Sequence, residues 1–199
     1  MQSLSYGDIE GVVFNTTNAN AYAFAEEMDN QFMLMGLRGI SVVAASGDDG
    51  SSSNIVRDDT SACASSVPEW PGSSPYVTTI GATQLSDEYH PTCGVSYDNL
   101  NLGMAFQCSG ASEIVCSSTT GGVITSGGGF SDVYNRSDVA TWQEDVVMDY
   151  LNVSGVTPTT PGFFNKFGRA YPDVSAYGSN YFVYLQGMIT RESGTSGHS

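Results

Sequence analysis

Residues 40–50 read Ile40-Ser41-Val42-Val43-Ala44-Ala45-Ser46-Gly47-Asp48-Asp49-Gly50. Ile40 to Ala45 is a short apolar run without strict alternation, the pattern of a strand covered on both faces. It breaks abruptly at Ser46-Gly47-Asp48, a turn composition. Just upstream, Asn20 to Met35 reads as a helix, with Phe24, Met28, Phe32 and Met35 forming one apolar stripe and Glu26, Glu27 and Asp29 facing elsewhere. Gly36 is the expected C-cap. Leu4 to Gly7 reads as the end of a preceding strand. Strand, helix and strand with short joints predict a parallel crossover.

Further along, Ser46 to Ser74 reads as a long loop and Tyr76 to Thr83 as a strand. Asp87 to Gly129 has little periodicity. Ser131 to Val153 is expected to be partly helical around Ala140 to Leu151, and Val156 to Gly162 loop-like. Val174 to Ala176 and Tyr181 to Gln186 read as strands. No internal repeat is visible. The organisation expected is one α/β domain over residues 1–199, a parallel sheet flanked by helices.

Composition narrows the function classes. The 199 residues carry 6 Lys+Arg against 21 Asp+Glu, a net charge of −15, and 40% hydrophobic residues. That supports a sizeable core and argues against disorder. So few cations cannot neutralise a run of phosphates, which excludes nucleic acid as a partner. No apolar stretch approaches the roughly 20 residues a bilayer needs. The N-terminus shows no signal peptide, yet Cys63, Cys93, Cys108 and Cys116 form an even set that permits three disulfide pairings. Zinc is the rival reading of the cysteines, disfavoured because no Cys-x-x-Cys pair exists. Sequons at Asn15, Asn135 and Asn152 and the acidic pI lean toward an oxidising compartment. A secreted or lysosomal/vacuolar protein is therefore expected. The missing signal peptide suggests that the chain is a portion of a longer product.

Two turns could carry chemistry. Ser193-Gly194-Thr195-Ser196 suits a nucleophilic serine, which must be exposed at a sharp turn. Ser46-Gly47-Asp48 lies beyond the carboxyl end of a strand, where ligands bind in parallel sheets. Taken singly, each is as well explained as an ordinary solvated turn. The only histidines, His90 and His198, give no positive support for a Ser-His-Asp triad. Ser126-Gly127-Gly128-Gly129 is glycine-rich, but no lysine follows it, so a close-packed turn is favoured over a phosphate loop.

Together these segments resemble a known family. Ser5-Tyr6-Gly7, Ala45-Ser46-Gly47-Asp48, Ser74 to Gly81, Ser126 to Ser131, Tyr171 to Ala176 and Ser193 to Ser196 come in the order seen in the sedolisins, the serine-carboxyl peptidases. The resemblance implies a subtilisin-like fold, truncated at both ends, and acid-optimum hydrolysis of peptide or protein substrates by a monomer. It implies that Ser196 is the nucleophile and that a protonated Asp48 stabilises the oxyanion. Ser5, Tyr6 and Gly7 would bind the substrate backbone. Asp173 matches a family motif without a catalytic role.

The family's Glu base and its supporting Asp lie on a helix before the strand matched by Leu4 to Gly7, which these residues do not include. Glu10, Glu26 and Glu27 lie on the wrong side of that strand to replace them. No cofactor is expected within the chain, whereas a calcium site is expected in the full-length family member beyond Ser199. Gly197-His198 replaces the small pair usual after the serine. The 199 residues alone are therefore expected to be inactive and marginally stable. The alternative reading is a secreted, non-catalytic relative of the same fold.

Overall fold

The structure, a computed structural model, describes residues 1–15, 19–86, 112–153 and 162–197. The strands are β1 (Gln2–Leu4), β2 (Asp8–Ile9), β3 (Val42–Ala45), β4 (Glu69–Trp70), β5 (Thr78–Leu85), β6 (Glu113–Val115), β7 (Gly129–Asn135), β8 (Gly168–Tyr171), β9 (Val174–Tyr177), β10 (Tyr181–Leu185) and β11 (Met188–Glu192). The helices are α1 (Glu10–Val13), α2 (Ala19–Leu37), α3 (Arg136–Val139) and α4 (Glu144–Leu151).

The crossover expected from the sequence is present. β1 and β3 pair in parallel, Gln2 opposite Val42 and Leu4 opposite Ala44, with α2 between them in the chain. β3 continues in parallel onto β5, Val43 opposite Thr78 and Ala45 opposite Ile80. β9 pairs in parallel with β5 from Ile80 to Thr83, while β6 runs antiparallel to it from Thr83 to Leu85. Ile80 therefore has β3 on one edge and β9 on the other, and Thr83 has β6 and β9. β3 and β6 share one edge of β5 end to end. β3 lies between β1 and β5, and its Val42, Val43 and Ala44 are all buried, as expected of a strand covered on both faces.

The core lies where α2 covers this sheet. Ala25 and Phe32 of α2 pack with Val42, Ala44, Phe14, Trp70 and Val77. Phe14 meets both Trp70 and Tyr134 edge-on. The buried face of α2 is displaced from the stripe expected. Phe24 is 58% exposed, and Ala25, Met28, Asp29 and Phe32 turn inward instead. Asp29, expected to face elsewhere, is buried because Ser74 donates to it at 2.8 Å and Tyr134 donates to its other oxygen. Two hydroxyl donors satisfy an acid that the apolar period alone would have placed outside. Helix α2 also runs through Gly36, and the left-handed residue that ends it is Gly39, at φ 76°.

The remaining differences are of the same local kind. Ser46 to Ser74 is not plain loop: it contains 3₁₀ turns at Gly50–Ser52, Asn54–Arg57 and Thr60–Ala64, and β4. β7 and β8 form an antiparallel ribbon. β10 has a partner, β11, with Tyr181 opposite Glu192. Helix α4 starts at Glu144, after a 3₁₀ turn over Thr141–Gln143. No helix among the described residues is long and apolar enough to cross a membrane.

Candidate functional site

The turn after β3 is clamped by backbone on one side. Ser46 N–H donates to the Ile80 carbonyl at 3.1 Å. Beyond it, residues 125–127 run alongside residues 47–50. Gly127 N–H donates to Gly47 O at 2.7 Å, Thr125 N–H to Asp48 O at 3.0 Å, and Gly50 N–H to Thr125 O at 3.0 Å. Ser126-Gly127-Gly128-Gly129 is thus the close-packed turn expected of it. A Cβ on Gly127 would fall 2.0 Å from the Ser46 carbonyl oxygen.

The other side is closed by the end of the chain. Ser193 and Gly194 lead from β11 into a 3₁₀ turn, Thr195–Gly197. Thr195 is 1% exposed. Its amide donates to Asp48 Oδ1 at 2.8 Å, and its hydroxyl lies 3.0 Å from the same oxygen. That hydroxyl also accepts from Gly47 N–H at 3.2 Å. Next to it, Ser196 is exposed, and its hydroxyl donates to the Ser5 carbonyl at 3.0 Å. The turn singled out in the sequence at Ser193 to Ser196 therefore touches Asp48 through Thr195 and Ser5 through Ser196.

Ser5-Tyr6-Gly7 follows β1 outside any strand pairing, so the strand ends earlier than expected, at Leu4. Ser5 is exposed and Tyr6 is 83% exposed. Open backbone of this kind, beside an exposed serine, can add a peptide strand.

One acid at the site escaped the sequence reading. Glu69 of β4 projects over Gly47, where an added Cβ would lie 2.6 Å from Glu69 Oε2. Burial pushes the Glu69 carboxyl up, and the charges of Asp49, Asp48 and Asp8 push the same way against a hydrogen bond from Ser53. Asp49 is neutralised by Arg57, which donates to both of its oxygens at 2.7 Å. Glu69 could have been found only through the pairing of β4 with β2, Asp8 opposite Trp70, which no local pattern announces.

Other candidates lie apart from this centre. Glu10 is fully buried in α1. It accepts from Ser73 and Ser131 hydroxyls at 2.6 Å each and from Asp132 N–H at 2.7 Å. So enclosed, it is no base for Ser196. Glu26 and Glu27 are exposed on α2. Asp173 is structural: it accepts from Arg169 at 2.6 Å and from Thr79 N–H at 2.8 Å. His90 and His198 lie outside the described residues. An apolar cavity of 840 Å³, walled by Phe130, Trp142, Val146, Tyr150 and Phe164, adjoins Gly50 and Thr125, but neither Asp48 nor Ser196 lines it.

Cys63 is an exposed free thiol and Cys116 a buried one, so neither staples the fold, while Cys93 and Cys108 lie outside the described residues. Asn15, Asn135 and Asn152 are exposed. Among the described residues, no group of three His, Cys, Asp or Glu could hold a metal ion, so they offer calcium no fit.

Known proteins are similar to this chain over nearly its whole length. The tripeptidyl-peptidase SED2 of Arthroderma otae is 33% identical over 195 residues, covering 98% of this chain and 25% of the relative. Tripeptidyl-peptidase sed1 of Aspergillus fumigatus is 30% identical over 213 residues, covering 98% and 28%. Tripeptidyl-peptidase 1 of Canis lupus familiaris is 32% identical over 197 residues, again covering 98% and 28%. Pseudomonas sedolisin, solved in complex with two molecules of pseudo-iodotyrostatin, superposes with a TM-score of 0.59 at 23% identity, covering 98% of this chain and 43% of that one. No family model matches the chain. The resemblance to the sedolisins and the subtilisin-like parallel-sheet fold read from the sequence are both borne out. The chain spans about a quarter of the length of the curated relatives it matches.

Proposed function

We propose that residues 1–199 form part of the catalytic domain of an acid serine peptidase of the sedolisin type, acting on peptide or protein substrates. The observation that carries this reading is the bond from Thr195 N–H to Asp48 Oδ1 at 2.8 Å, which ties the acid turn to the serine turn. Ser196 is the nucleophile. Its hydroxyl attacks the scissile carbonyl and passes its proton to a carboxylate base from residues outside this stretch. Asp48, protonated in acid, donates a hydrogen bond to the oxyanion that forms, and Ser5 to Gly7 hold the substrate backbone.

Neutral pH replaces that donor with a charge that repels the oxyanion, so the reaction belongs to acid conditions. The described residues place no base beside Ser196, and the 199 residues on their own are expected to be inactive. A secreted or lysosomal/vacuolar location suits an acid peptidase, and the working unit is a monomer. Calcium, where the whole protein uses it, is held by other residues.

The test is peptide hydrolysis at pH 3–5 by the protein that carries these residues. Asp48→Ala should lower kcat by about 10²–10³-fold with little change in KM. Acid hydrolysis indifferent to Asp48→Ala would remove the proposed role, and a parent without any hydrolysis would favour the non-catalytic relative.

A further inference from the structure

Thr195 gives Asp48 more than a tether. Both polar groups of this one buried residue reach the same carboxylate oxygen, the amide at 2.8 Å and the hydroxyl at 3.0 Å from Oδ1. The hydroxyl can hold this position because Gly47 N–H donates to it at 3.2 Å. Its single hydrogen has one other acceptor in reach, Gly47 O, at 3.2 Å.

With the hydroxyl hydrogen turned to its nearer acceptor, Oδ1 at 3.0 Å rather than Gly47 O at 3.2 Å, two donors fill the lone pairs of Oδ1, and a proton taken up by the acid goes to Oδ2. That oxygen lies beside Gly194, where an added Cβ would crowd it at 3.2 Å, so the absence of a side chain there leaves room next to it. We propose that Thr195 is a positioning residue that reserves Oδ1 for its own two donors, so that the proton of Asp48 sits on Oδ2 and faces the substrate carbonyl. The catalytic consequence rests on the peptidase reading above; the proton placement does not.

The consequence can be read as a shift in pH. A donor to Oδ1 favours the ionised carboxylate, so its removal makes protonated Asp48 persist to higher pH. The other groups facing Asp48 are Glu69 from β4, Asp49 with its partner Arg57, the Cys116 thiol beyond β6, and Tyr181 of β10. They are the same in parent and variant, so a difference between the two reports the hydroxyl of Thr195.

The experiment compares the parent with Thr195→Val, which deletes the donor, and Thr195→Ser, which keeps it, in the protein that carries these residues. Carboxyl-carbon NMR follows the titration of Asp48, and the pH profile of kcat/KM is recorded alongside. Thr195→Val should move the Asp48 midpoint and the alkaline limb of the profile upward together, and lower kcat about ten- to a hundredfold. Thr195→Ser should return both to the parent positions. If Thr195→Val does not fold, Thr195→Ala makes the same comparison. A folded variant without the hydroxyl whose Asp48 midpoint equals the parent's overturns the proposal. A shifted midpoint in a protein that hydrolyses no peptide sustains the proton placement and defeats the peptidase reading instead.

Discussion

The Ser196 hydroxyl rests on the carbonyl of Ser5, 3.0 Å away and 191 positions apart in the chain. The contact ties the serine turn to the segment that would receive substrate. It is exposed, so its net worth to the fold is small, about 1 kcal/mol or less. Ser196→Ala should therefore leave the unfolding free energy nearly unchanged while peptide hydrolysis falls to background. A variant that loses several kcal/mol in urea unfolding would mean that this serine serves architecture.

Gly127 is the opposite case. An added methyl would meet the Ser46 carbonyl oxygen at 2.0 Å and the Gly47 oxygen at 2.8 Å, both of them backbone atoms that cannot rotate away. Gly127→Ala should cost about 3 kcal/mol, read as a lower midpoint in urea at constant slope. It should also reduce activity beyond that loss, because residues 125–127 hold the Asp48 turn through Thr125 and Gly127.

Stability should be greatest in acid. Burial raises the carboxyls of Glu10, Asp29 and Glu69 above their ordinary values of 4.5, 3.8 and 4.5. A carboxyl whose folded pKa exceeds its unfolded one binds its proton more tightly in the folded state. Stability is then full below the unfolded values and is lost as pH rises through the folded ones. Melting temperature should decline on going from about pH 4 toward neutrality. Glu69→Gln, which cannot ionise, should make that decline shallower. A melting temperature that rises over the same interval would contradict the assignment.

Arg169 is fully buried and donates to Asp173, to Gly72 O at 3.2 Å and to Ala170 O at 2.9 Å. Asp173→Asn leaves a guanidinium in the interior without its counter-charge. It should cost about 3–5 kcal/mol. Arg169→Met with Asp173→Asn should cost less than the single change, since no lone charge remains, and a double-mutant cycle measures the difference.

The sheet and the approach of the 193–196 turn to the 46–48 turn were legible because their signals are local or carried by ordered motifs. β3 announces itself by an apolar run, and Asp48 and Ser196 stand in turns that match a family in sequence order. What the sequence hid depends on contacts between distant elements. Asp29 looked like a surface acid until Ser74 and Tyr134 supplied its donors. Glu69 became a neighbour of Gly47 through β4, a strand of two residues, too short for any periodicity. β11 escaped because Met188–Glu192 is exposed along most of its length and lacks a clear alternation.

Asp48 and the residue that holds it are 147 positions apart. During synthesis the acid emerges long before Thr195, which donates to it. A nascent chain cannot bring the 46–48 and 193–196 turns together until the polymer has been extended through residue 196. The same separation places a large loop-closure cost on forming the site, making it a late event in folding.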